Sequence, residues 1–139
     1  MSGRPDRRLL KRLEMAAHIA ALKTDLAAGQ AAAARRRQEQ ADQELRDCLA
    51  RIDAPSSQLQ LLVAGVATGA IVPLGRAAAE AGAATALAVR EAAIARARKD
   101  ALEARVRTVR IAIERAEAEA VLFESLLRSG ASGRQLQES

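Results

Sequence analysis

The stretch from Ala101 to Arg128, ALEARVRTVRIAIERAEAEAVLFESLLR, constrains the fold more than any other part of the chain. Taken at alternating steps of four and three it reads Leu102, Val106, Val109, Ile113, Ala116, Ala120, Phe123, Leu127, all apolar. Between them stand Glu103, Arg105, Arg107, Arg110, Glu114, Arg115, Glu117, Glu119 and Glu124. One narrow apolar seam on a charged helix is the a/d pattern of a coiled coil. A seam that narrow is not buried by its own helix, so a second helix of comparable length has to cover it.

The rest of the chain supplies a candidate. Residues 7–53 contain no Pro and a single glycine, Gly29. Met15, Ile19, Leu22 and Leu26 step by four, three and four, and Leu45, Leu49 and Ile52 resume the stripe. In between, the stripe crosses AAGQAAAARRRQEQA through Gln30, Ala34, Gln38 and Ala41. The extra steps of four predict a stutter, which locally unwinds a supercoil. Residues 7–53 therefore read as one helix of roughly 70 Å, loosened near Gly29. Asp6 can cap it, and Ala54-Pro55-Ser56-Ser57 ends it.

A short helix, QLQLLVAGVATGAIV, is expected to follow, ending before Pro73. Its Gly65-x-x-x-Gly69 face suits close backbone approach, and it reads as a connector folded over the hairpin tip or as an exposed sticky patch. Helix two is expected from Arg76 to Arg128. Leu87 and Ile94 precede Leu102 at uneven spacing, which predicts a second stutter through Arg98. Gly130 is available as a left-handed cap, and residues 129–139 read as a disordered tail. The expected fold class is all-α: a long antiparallel two-helix coiled-coil hairpin, one domain, with a short helical connector at the tip. The competing arrangement is a long-helix dimer in which each seam pairs with its twin.

Composition agrees with a thin helical body. Half of the 139 residues are hydrophobic, but many are alanine, with one Phe and no Trp or Tyr. The net charge is +5, carried mostly by Arg. That excess suits an anionic partner, or merely a GC-rich genome. Without aromatic side chains, stacking on single-stranded bases is excluded. One cysteine, Cys48, cannot form an internal disulfide and suits a reducing compartment. The start of the chain is no convincing signal peptide. The apolar run Leu59 to Val72 spans roughly 21 Å as a helix, short of a bilayer core, so no transmembrane span is expected.

No catalytic, cofactor or metal constellation is expected. His18 and Cys48 would lie roughly 45 Å apart on one helix, metal-ligand spacing is missing, and the glycines lack the Lys-Ser or Lys-Thr of a phosphate loop. Two basic clusters remain. Arg35-Arg36-Arg37 spreads round the helix and reads as a solvated face or, alternatively, as a contact for an anionic partner. The second arises by folding: in a hairpin Arg7, Arg8, Lys11 and Arg12 gather beside Arg128, close to Leu122, Phe123, Leu126 and Leu127. A basic rim around an apolar helix end is a plausible protein-docking site.

A basic start, RPDRRLLKRLE, then two heptad helices split by a Pro/Ser break and ending in ALEARVRTVRIAIERAEAE, resembles the FliJ/YscO family. These are stalk proteins of flagellar and type III secretion export machines. The resemblance is one of organisation over the whole chain. It implies a non-enzymatic hairpin, cytoplasmic or peripheral at the inner membrane. Such a stalk would dock by its terminal end in the pore of a hexameric export ATPase and link it to the export gate or to substrate chaperones. No small-molecule ligand is implied. The rival classes are a basic coiled coil on nucleic acid, whose affinity falls steeply with salt, and an amphipathic surface coat anchored by Leu59 to Val72.

Overall fold

The computed structural model describes the backbone of residues 6–53 and 58–138, and the side-chain surroundings of 6–52, 65–66 and 68–131. Two long helices, α1 (Arg7–Asp53) and α2 (Gln58–Glu138), pack against each other as an all-α hairpin, with no strand among the described residues. The start of α1 follows from its cap. Asp6 Oδ1 accepts the Arg8 backbone N–H at 2.9 Å, and the Asp6 carbonyl accepts the first helical bond, from Leu10 N–H at 3.1 Å. That satisfies an orphan donor of the first turn. The Ala54-Pro55-Ser56-Ser57 break lies outside the described residues.

The chain divides into two compact units: Met1–Ala21 with Arg98–Ser139, and Leu22–Ala97. In the first, the terminal unit, α1 turns Leu10, Leu13, Ala17 and Ala20 inward. There α2 turns in Lys99, Leu102, Val106, Val109 and Ile113. Leu13, Val106 and Ile113 are the buried core. Lys99 fits the seam because its aliphatic stem covers apolar surface while its ammonium reaches Glu103 at 3.9 Å. Arg7 pairs with Glu117, and Arg110 with Glu14 at 2.9 Å, so the two helices run antiparallel here.

In the second unit α1 turns in Thr24, Ala27, Ala31, Ala34, Gln38, Ala41, Leu45, Cys48 and Ile52. The matching face of α2 is Ile71, Leu74, Ala78, Ala81, Thr85, Ala88, Ala92 and Ala95. Thr24 Oγ1 donates to the Ala95 carbonyl at 3.1 Å, and Gln38 Nε2 stands 3.5 Å from where a Cβ on Gly82 would be. These contacts again make the helices antiparallel. The seam is small from Thr24 to Ala34 and from Ala78 to Ala95, while Leu45, Ile52, Ile71 and Leu74 are larger, and Cys48 is buried among them.

Several expectations are corrected. Neither helix stutters: the inward positions of both step by three and four without a break. Ala34, Gln38, Ala41, Leu45 and Ile52 belong to the seam as expected. Met15, Ile19, Leu22, Leu26, Gln30 and Leu49 do not, and neither do Leu87, Ile94 and Arg98; all are exposed. The alanine and threonine stretch Thr24, Ala27, Ala31 and Ala34 keeps the phase of the larger seam residues before and after it, Leu13 and Leu45. The larger exposed side chains would have required a phase change.

The C-terminal half of the hairpin is also longer than expected. Helix two begins at Gln58, not Arg76, and includes Pro73, so no separate connector helix ends there. A proline inside a helix costs about 3 kcal/mol. Here Ile71, Leu74, Gly75 and Ala78 on either side are half-buried and hold the helix through it. A Cβ on Gly65 or Gly69 would meet nothing within 4 Å, so the GxxxG face makes no close contact. Gly130 is helical with no positive φ, and α2 continues to Glu138 instead of ending at Arg128. Nothing in the structure explains that last extension.

Candidate protein-docking end

The docking residues read from the sequence all belong to the terminal unit. Arg7, Arg8, Lys11 and Arg12 occupy the first turns of α1, every one exposed. The capped start fixes their position. The Arg7 guanidinium donates to Glu117 Oε1, which sets the beginning of α1 level with Glu117. Arg128 lies eleven residues further along α2, roughly 16 Å away at 1.5 Å per residue. The basic residues therefore do not gather beside Arg128, and the expected collar round Phe123 is corrected to two features offset along α2.

The axial register explains the offset. Arg7–Glu117 and Glu14–Arg110 join equivalent flanking positions of the two helices one heptad apart. The same spacing continued past Glu117 would run beyond the start of α1. The a/d pattern of α2 does not stop there. Ala116, Ala120, Phe123 and Leu127 carry on the phase of Leu102, Val106, Val109 and Ile113, now in the open. Phe123 is 63% exposed, and Val121, Leu122, Leu126 and Leu127 are comparably so. Past Glu117, α2 continues to Glu138, roughly 30 Å further.

The electrostatics of this end are mixed. Glu114 and Glu117 line α2 where the α1 start is basic, Glu117 already answers Arg7, and Glu119 and Glu124 follow beyond it. What remains uncovered is a helix with a wide apolar arc from Leu122 through Phe123 to Leu127, edged by carboxylates. Chemically this is a helix-in-groove ligand or a coiled-coil partner. Glu117 and Glu124 share one flank, so an antiparallel self-pairing of this segment sets them against each other. A parallel pairing sets Glu119 against Glu124.

The other positions weighed from sequence are unremarkable in place. His18 is exposed on α1, and Arg35, Arg36 and Arg37 are all exposed. Among the described residues no group of His, Cys, Asp or Glu is placed to hold a metal, and no helix is long and apolar enough to cross a membrane. No family model, curated protein or solved structure matches this chain.

Sequence reading missed one class of residue here. Met15 and Ile19, placed in the seam, face outward, Met15 at 67% exposure. The signal was present: Leu13, Ala17 and Ala20 keep the three-four step that Leu102, Val106 and Val109 require of a partner.

Proposed function

We propose that this chain is a non-enzymatic coiled-coil component of a bacterial type III or flagellar protein export apparatus, a stalk or regulator of its ATPase, which it engages through the bare end of α2. The observation that carries the docking part is the continued a/d seam past Glu117, with Phe123, Leu126 and Leu127 in solvent. A helix that keeps a coiled-coil phase with none of the described residues covering it is shaped for another protein. The resemblance in organisation to export stalks supports the choice of partner: the ATPase ring, and through it the export gate or substrate chaperones. The exposed basic start of α1 supplies a second, electrostatic contact for an acidic pore lining.

The test is stimulation of the cognate export ATPase by the full chain. Phe123→Gln with Leu127→Gln is expected to lower stimulation and binding at least tenfold with helicity unchanged, because neither side chain is buried. Charge reversal of Arg8, Lys11 and Arg12 is expected to slow association and to lose its effect as salt rises. Unaltered stimulation by the Phe123/Leu127 variant would overturn the docking end, and no effect of the parent chain on the ATPase would overturn the export assignment.

A further inference from the structure

The second unit carries an outer apolar face that is independent of the docking end. On α1, Leu22, Leu26, Gly29 and Ala33 step by four, three and four. They follow the seam residues Ala20, Thr24, Ala27 and Ala31 by two positions, about 200° round the helix. Leu22 is 57% and Leu26 64% exposed. One turn further on, the surface sinks. A Cβ on Gly29 would meet nothing within 4 Å, and an open groove of about 500 Å³ lies against Gly29, Ala33 and Ala34 of α1 and Ala84 and Ala88 of α2. Two knobs and a hole thus stand seven residues apart on one helix.

We infer that this face binds a second copy of the chain, α1 against α1 in antiparallel, with Leu26 of each copy seated at Gly29 of the other and Leu22 at Ala33. In an antiparallel coiled coil each a-type position faces a d-type position. Applied to this outer stripe, that rule gives four layers, each setting a leucine against a glycine or an alanine. Interfaces between packed helices fill best when large and small side chains alternate across them.

Charge selects the same register. Lys23 then faces Gln30 of the second copy, and Asp25 faces Ala32 of the second copy, so no like charges meet. Sliding the copies one heptad in one direction sets Lys23 against Lys23 and Asp25 against Asp25. Sliding them the other way moves Arg36 from Ile19 to Leu26 and sets Leu22 against Gln40, so neither leucine keeps a small partner. The α2 wall adds an attraction. Glu91 follows the groove-lining Ala84 by a full heptad and so shares its face. The level set by Thr24 with Ala95 brings Lys23 of the second copy within about one turn of Glu91. Symmetry repeats each contact, as an isologous interface requires.

Sedimentation velocity on the full chain over a hundredfold concentration range tests the pairing. A dimer is expected, and Leu22→Gln with Leu26→Gln should return a monomer of unchanged helicity. A monomer at every concentration, or a dimer indifferent to that double change, overturns the inference. Mixed oxidation fixes the register. With Cys48→Ser throughout, Leu22→Cys chains should crosslink to Ala33→Cys chains. Leu22→Cys alone should not, since its two copies stand roughly 16 Å apart. Efficient crosslinking of Leu22→Cys to itself, or to Ile19→Cys in preference to Ala33→Cys, overturns it.

Discussion

In the terminal unit the seam includes Leu13, Leu102, Val106, Val109 and Ile113; in the second unit one stretch of it is made of Thr24, Ala27, Ala31, Ala34, Thr85, Ala88 and Ala92. Around the first, Glu14, Lys11, Arg107 and Glu114 are exposed, and so are Met15 and Ile19. Around the second, Leu22, Leu26, Leu87 and Ile94 are exposed. Along this stretch the second unit has thus exchanged its layers, small side chains within and large ones outside, while Leu45, Ile52, Ile71 and Leu74 keep the rest of its seam large. Helix separation depends on the residues at the contact, so an alanine seam lets two backbones come close and leaves no room for leucine between them. The large side chains go to the opposite face, where a further helix can use them. Hydrophobic bulk alone did not mark the interior; an unbroken period did.

The comparison can be broken first where the side chains are large. Ile113→Ala is expected to cost about 2 kcal/mol, the low end for an isoleucine in a seam with solvent on both flanks. Urea unfolding of the full chain at one fixed concentration measures it, and a loss under about 0.5 kcal/mol would mean that this seam does not hold the terminal unit. The reverse exchange comes next. Ala34→Leu inserts bulk where the helices meet and should destabilise by about 1–2 kcal/mol. Gly29→Ala on the outer face should instead raise the stability of the monomer by about 1 kcal/mol, because a helical glycine gains propensity with nothing in the way. If Ala34→Leu were neutral, the small seam would have slack that close packing denies.

Threonine sharpens the contrast within the second unit. Thr24 bonds across to Ala95, whereas Thr85 bonds its own helix at Ala81, 2.8 Å away. Thr24→Val should cost about 1 kcal/mol, the net worth of a part-buried hydrogen bond. Thr85→Val should cost less, since the Ala81 carbonyl keeps its helical partner. Smallest of all, Arg110→Ala should change stability by about 0.5 kcal/mol or less, because both it and Glu14 are largely in solvent. Thermal unfolding at two salt concentrations checks this, with the difference vanishing at high salt.

Much of this fold could be read before any coordinates. The Asp6 cap and the Leu102-to-Ile113 phase were local signals, and the first helix spans the expected residues 7–53. Three features were not legible in the same way. Met15, Ile19, Leu22 and Leu26 form a true heptad stripe, but it belongs to a second face, and period alone does not say which of two faces a partner will take. Pro73 reads as a stop unless the packing of Ile71 and Leu74 on α2 is known. The basic start and Phe123 are separated by the axial register, which Arg7–Glu117 and Glu14–Arg110 fix and which neither helix carries by itself.

A disulfide trap in the second unit tests the inner seam most directly. In a Cys48→Ser chain kept dilute enough to be monomeric, Thr24→Cys with Ala95→Cys should close an intramolecular bond on mild oxidation, seen by mass spectrometry after proteolysis. Leu22→Cys with Ala95→Cys should stay reduced. Closure of the second pair and not the first would put the leucine stripe inside and contradict the account.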